Sequence, residues 1–172
     1  KISSKNIENQ WSFNAGNNTA WKWETGTAAH GSSSIKVNGE DMLVGVSTEI
    51  ISKAYDLSAF TSPAIKFSWS GAAVNTFPVN ELALYFSKNC GEDWLSLGTL
   101  DPVKSSNAGL YATNFKPNSS EWKDTIMTKS QLVGDNIRFK VKYIVNGSSN
   151  NFYLDNIMIG EEASLLTIPN ST

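Results

Sequence analysis

The chain has 172 residues, 40% of them hydrophobic and only 17% charged, with a formal net charge of −2. That length suits one domain with a sizeable core, and the charge balance leaves no electrostatic case for nucleic acid or an anionic membrane. The single Cys90 excludes an internal disulfide, and Arg138 is the only arginine among 14 basic residues, which argues against phosphate-reading chemistry. Low charge with abundant Ser, Thr, Asn and Gly fits an extracellular β-protein, and the lack of disulfides points to a bacterial source. No apolar run is long enough to span a membrane, and with no signal peptide in view the sequence reads as a mature fragment.

Taken in chain order, apolar residues alternate with polar ones, and no long helical stripe interrupts them. Strands are expected at 7–13, 20–24, 33–37 and 42–51. The run 64–70 places Ile65, Phe67 and Trp69 on one face and Lys66, Ser68 and Ser70 on the other. Leu82, Leu84 and Phe86 mark a strand that enters Ser87-Lys88-Asn89-Cys90-Gly91-Glu92-Asp93-Trp94. Asn and Gly permit left-handed backbone there, Ser87 and Asn89 can bind turn amides, and Trp94 can pack beneath the loop. These residues resemble the structural Asp-box turn Ser-x-Asp-x-Gly-x-x-Trp, with Asn89 in the Asp position. A return strand follows at 94–100, and 101–120 is a polar excursion between strands. Further strands are expected at 122–128, 137–145 and 152–159. The run 137–145 is the clearest, with Phe139, Val141 and Tyr143 inward and Arg138, Lys140 and Lys142 outward. The pattern reads as an all-β, two-sheet antiparallel sandwich over 1–160, with 161–172 as a linker or tail.

Catalytic constellations are missing. His30 is the only histidine, and there is no His-Glu-x-x-His, no Gly-x-Ser-x-Gly and no Cys/His cluster with metal spacing. The acidic pairs Glu40/Asp41, Glu92/Asp93 and Glu161/Glu162 are neighbours in sequence, and neighbours on a strand point to opposite faces. Cys90 has only Lys88 close by in sequence to activate it. Two ligand surfaces remain. Trp21 and Trp23 share a strand face and either stack on sugar rings or belong to the core. Lys66, Ser68, Tyr85, Lys140 and Lys142 would form a polar patch if their strands are neighbours. Asp155, aligned by alternation with Tyr153, Ile157 and Ile159, is a carboxylate on an apolar face. It needs a cation or hydrogen-bond donors.

The ordered set of motifs carries a resemblance. It runs from Asn6-Ile7-Glu8-Asn9 and Asn14-Ala15-Gly16-Asn17-Asn18-Thr19-Ala20-Trp21 through Gly31-Ser32-Ser33-Ser34-Ile35-Lys36-Val37 and Tyr55-Asp56-Leu57-Ser58. It continues with Ile65-Lys66-Phe67-Ser68-Trp69, the turn at 87–94 and Trp122-Lys123-Asp124, and closes with Phe152-Tyr153-Leu154-Asp155-Asn156-Ile157. Over about residues 6–160 this order resembles the galactose-binding-like, MAM-like jelly-roll modules of secreted Bacteroidetes proteins. Among them are the domains that follow pappalysin-type metalloproteases and the cleaved-adhesin domains of gingipains. Gly45-Val46-Ser47 departs from the proline common at that point. The resemblance implies a non-catalytic accessory module of a secreted or surface protein, with a metalloprotease or adhesin as parent. Such a module binds extracellular carbohydrate or protein, or contacts neighbouring domains of its own polypeptide. It also implies a structural calcium at Glu8 and Asp155, with oxygens near Ser33 completing the shell. The rival readings are a spacer or intramolecular chaperone without a ligand, and a dedicated carbohydrate-binding module. An enzyme has no support in these residues.

Overall fold

The computed structural model describes residues 10–13, 21–101 and 106–170. Among the described residues ten strands form two five-stranded antiparallel sheets. They are β1 (Trp11–Phe13), β2 (Lys22–Thr25), β3 (Ser33–Val37), β4 (Ser47–Ser52), β5 (Pro63–Gly71), β6 (Glu81–Ser87), β7 (Leu95–Leu100), β8 (Lys123–Thr128), β9 (Arg138–Ile144) and β10 (Phe152–Glu161). The first sheet has the order β1-β4-β9-β6-β7 and the second β2-β3-β10-β5-β8. The wiring is nested. β6 pairs with β7, β5 with β8, β4 with β9 and β3 with β10, so the strands from β3 to β10 pair from the middle of the chain outward. That is a long antiparallel ribbon rolled into a sandwich, the jelly-roll arrangement.

Period-2 alternation fills the space between the sheets. Ile65, Phe67, Trp69, Leu82, Leu84, Phe86, Phe139, Val141 and Tyr143 are all buried there, as their spacing predicts. Trp69 stacks on Phe152 with ring centroids 6.0 Å apart, and its indole N–H donates to Thr125 Oγ1 at 2.9 Å. A buried Trp keeps its polar atom paired in this way.

Several expectations need correction. The strand expected over 42–51 begins only at Ser47. Gly45 has φ +86°, and its amide N–H bonds to the Val145 carbonyl, so the chain turns before pairing with β9. Alternation also fails on β10. Asn156 has φ +51°, and the pairing with β5 shifts register between Asp155 and Met158. This bulge inserts an unpaired residue. Tyr153 and Asp155 therefore face outward, while Ile157 and Ile159 join the inter-sheet core instead of sharing Asp155's face. The segment read as a linker or tail is packed. A short helix, α1 (Glu162–Leu166), lies on the second sheet, and Leu165 is buried against Ala64 and Met158. No helix among the described residues is long and apolar enough to cross a membrane.

Candidate functional site

The outer face of the first sheet carries a continuous polar and aromatic strip. On β9 the inward Phe139, Val141 and Tyr143 force Arg138, Lys140 and Lys142 outward. Register places Lys140 opposite Ile51 of β4 and Tyr85 of β6, and Lys142 opposite Glu49 and Ala83. Glu49 Oε2 lies diagonally 3.6 Å from Lys140 Nζ. The Lys140 ammonium also sits 4.2 Å from the centroid of the Trp94 ring, a cation–π contact.

Trp94 is aimed by the turn at residues 87–94. Ser87 is fully buried; its Oγ accepts from the Gly91 amide at 2.9 Å and donates to Asn89 Oδ1 at 2.9 Å. Asn89 Oδ1 also accepts from the Asp93 amide at 3.0 Å, and its Nδ2 donates to Asp93 Oδ2 at 2.8 Å. The Asn thus performs the acceptor role of the usual Asp and adds a donor. Cys90 and Gly91 both hold left-handed backbone, at φ 61° and 94°. A Cβ on Gly91 would stand 3.3 Å from Trp94 Cζ2. Trp94 does not disappear beneath the loop. It is half-buried, lying between the turn and Lys140 at the surface.

Next to the strip, where β1, β4 and β9 meet, a hollow of about 420 Å³ opens. Gln10, Ser12, Lys53 and Arg138 line it together with Ile51, which lies opposite Lys140 in the β4–β9 register. Tyr55 donates its hydroxyl to Gln10 Oε1 at 2.9 Å, and burial pushes that phenol up to about 12.

The other residues singled out in the sequence fall elsewhere. Tyr85, Lys140 and Lys142 do come together on the strip. Lys66 and Ser68 do not, because β5 belongs to the second sheet and its outer face is covered. Lys66 is 4% and Ser68 1% exposed. Lys66 Nζ donates to the Ile168 carbonyl at 2.8 Å and lies 3.6 Å from Asp124 Oδ2, while Ser68 Oγ donates to Asp124 Oδ1 at 2.7 Å. Trp21 is core, 2% exposed and edge-on to Phe152. Trp23 is half-buried against the same core, since β2 turns it toward Ile35. The Trp21 indole is therefore no surface platform.

Asp155 is buried, and both of its oxygens are engaged by backbone amides. His30 N–H donates to Oδ2 at 2.8 Å and Asn156 N–H to Oδ1 at 2.7 Å. Burial pushes its carboxyl above the ordinary range, and the amide bonds from His30, Asn156 and Ala29 partly offset that rise. Each oxygen thus has a protein partner without an ion. Glu8 lies outside the described residues, and Ser33 is half-buried at the start of β3. Among the described residues no group of three or more His, Cys, Asp or Glu is arranged to hold a metal ion.

Sequence reasoning left Trp94, Glu49, Lys53 and Arg138 out of the candidate set. Alternation did put Arg138 outward beside Lys140, and that was its available signal. Trp94 was assigned to turn packing, and only the tertiary contact with Lys140 brings it to the strip.

No protein-family model matches the sequence, and no curated protein matches it. Solved structures do. The K2 cleaved adhesin domain of Lys-gingipain is similar at a TM-score of 0.60 and 18% identity, over 88% of this chain and 90% of that one. A CBM28 module specific for non-crystalline cellulose is similar at a TM-score of 0.57 and 12% identity, over 90% and 89%. A CBM61 module in complex with β-1,4-galactotriose is similar at a TM-score of 0.55 and 14% identity, over 94% and 99%. The chain has the jelly-roll β-sandwich fold that cleaved adhesin domains and these carbohydrate-binding modules share.

Proposed function

We propose that this chain is a non-catalytic module of a secreted or surface protein that holds an extracellular glycan against the outer face of its first sheet. The observation that carries the reading is the half-buried surface strip in which Tyr85 and Trp94 lie beside Lys140, with Glu49 ion-paired to that lysine and Lys142 next along the strand. Aromatic faces stack on the apolar C–H faces of sugar rings, and lysines and a carboxylate supply donors and acceptors for hydroxyl groups. The shared fold supports the reading by analogy alone, because one fold hosts many functions. A glycan array followed by titration calorimetry tests it. Wild-type protein should bind at least one glycan class, and Trp94→Ala should weaken that binding about tenfold, as expected for loss of an aromatic anchor. Equal binding by wild type and the folded double variant Tyr85→Ala/Trp94→Ala would refute the strip as the site.

A second reading, contact with a neighbouring domain or another protein, rests on a different surface. Leu43 (76% exposed), Phe77 (82%) and Leu110 (59%) project from three loops. These loops are tied to one another and to residues 145–151 by Asn80, Asn150 and Glu40 side chains. Exposed apolar side chains of this size mark interaction surfaces when they are grouped. Phe77→Ser and Leu110→Ser should abolish association with such a partner and leave glycan binding intact.

A further inference from the structure

We infer that the hollow between β1, β4 and β9 is an anion subsite, and that the glycan this module selects carries a negatively charged substituent, a carboxylate or a sulfate ester. The inference rests on the glycan reading of the adjoining strip and specifies its ligand.

The described lining of the hollow is rich in donors. Arg138 and Lys53 contribute two positive charges, and among the described residues neither Asp nor Glu lines the hollow. Gln10 has its amide oxygen engaged by Tyr55, so the groups it has left for a ligand are its two N–H donors. Ser52 has its one hydroxyl hydrogen committed to the Lys53 carbonyl at 2.7 Å and accepts from the Phe139 amide at 2.8 Å. Ser12 is exposed at the rim.

Arg138 is the decisive group. It is half-buried, and among the described residues no carboxylate is ion-paired with it. Its Nε is shut off from solvent and has no hydrogen-bond partner. A guanidinium so placed lacks the compensation that a partly desolvated charge requires. The neighbouring outward lysine of the same strand is treated differently, since Lys140 has both Glu49 and Trp94. The planar fork of arginine matches the paired oxygens of a carboxylate or a sulfate. Lys53, held with its ammonium 5.7 Å from the Tyr55 ring centroid, adds a second charge at the edge. The volume lies within the range of small-molecule sites and admits a sugar ring. Two residues along β9, Lys140 and the Trp94 ring begin the strip, so one oligosaccharide can lie on the rings and place its charged unit in the hollow.

Calorimetry on the full chain with three probes tests this: α-1,4-trigalacturonate, a sulfated disaccharide and neutral β-1,4-galactotriose. At low salt an acidic probe should bind about tenfold more tightly than the neutral one, the size expected of a charge-assisted fork. Tight binding of the galacturonate alone identifies a uronic acid, of the disaccharide alone a sulfate ester, and of both a shared anion site. In Arg138→Gln the acidic preference should vanish, and in Lys53→Gln it should fall severalfold. Arg138→Lys, which keeps the charge and loses the fork, should retain only part of it. If the neutral probe binds as tightly as the acidic ones, this inference fails and the glycan reading stands. If no saccharide binds, both fail. An acidic preference unchanged in folded Arg138→Lys and Lys53→Gln would also overturn it.

Discussion

The two outer faces of the sandwich begin from the same kind of sequence and end in opposite states. On the first sheet, β9 sends Arg138, Lys140 and Lys142 outward, and they stay at the surface beside Tyr85 and Trp94. On the second sheet, β5 sends Lys66, Ser68 and Ser70 outward, and all three are buried. The cover has two parts. The loop at residues 106–122 lays Phe115 and Trp122 over Tyr153, and the Glu121 carbonyl accepts from Ser70 Oγ at 2.6 Å. The segment 162–170 lays Leu165 and Ile168 over Ala64 and Met158 and caps Lys66. An outward side chain is therefore not the same thing as an exposed one. What decides exposure is whether another part of the chain returns across that face.

The contrast predicts unequal costs for similar changes. The largest should come from Asp124→Ala on the covered face. It leaves the Lys66 ammonium buried without its carboxylate and should cost about 3–5 kcal/mol, measured by urea unfolding. The equivalent change on the open face, Glu49→Ala, should cost less than about 1 kcal/mol, because its ion pair with Lys140 is partly solvated. Similar losses from the two variants would break the contrast.

Next in size is Gly91→Val. The left-handed backbone and the nearby Trp94 ring should make it cost about 1–3 kcal/mol. Because that turn aims Trp94 at the open face, glycan affinity should fall in the same variant. An unchanged melting temperature would show that the turn adapts without strain.

Asp155 supplies a smaller, pH-dependent effect. Its folded carboxyl binds a proton more tightly than the unfolded one does. This group's contribution is fully present below the ordinary value of 3.8 and is lost as pH rises through the raised folded value. Wild-type stability minus that of Asp155→Asn should therefore decline with rising pH across that window. A difference independent of pH would contradict the raised carboxyl. The smallest expected effect is that of chelation. With both oxygens of Asp155 on amides, EDTA should leave the melting temperature unchanged. A fall in melting temperature on EDTA that Asp155→Ala abolishes would instead show a calcium tie at Asp155, with Glu8 as its proposed second ligand.

The strands and the core were readable because burial between two sheets imposes a period of two on the residues themselves. Ile65, Phe67, Trp69, Phe139, Val141 and Tyr143 follow from that alone. The turn at 87–94 was readable for a related reason, since Ser87, Asn89 and Gly91 bond within a few residues of one another. Where the order breaks locally, alternation misleads, as at Asn156, whose bulge moves Ile157 and Ile159 to the other face. What only the tertiary structure decided is which outward residues meet. Lys66 and Lys140 look alike in sequence, but β5 and β9 lie in different sheets, and residues far along the chain cover one and leave the other open. The strip joins β4, β6, β9 and the turn, and the hollow joins β1, β4 and β9. Such neighbours come from long-range strand pairing, which leaves no periodic trace in any one segment of sequence.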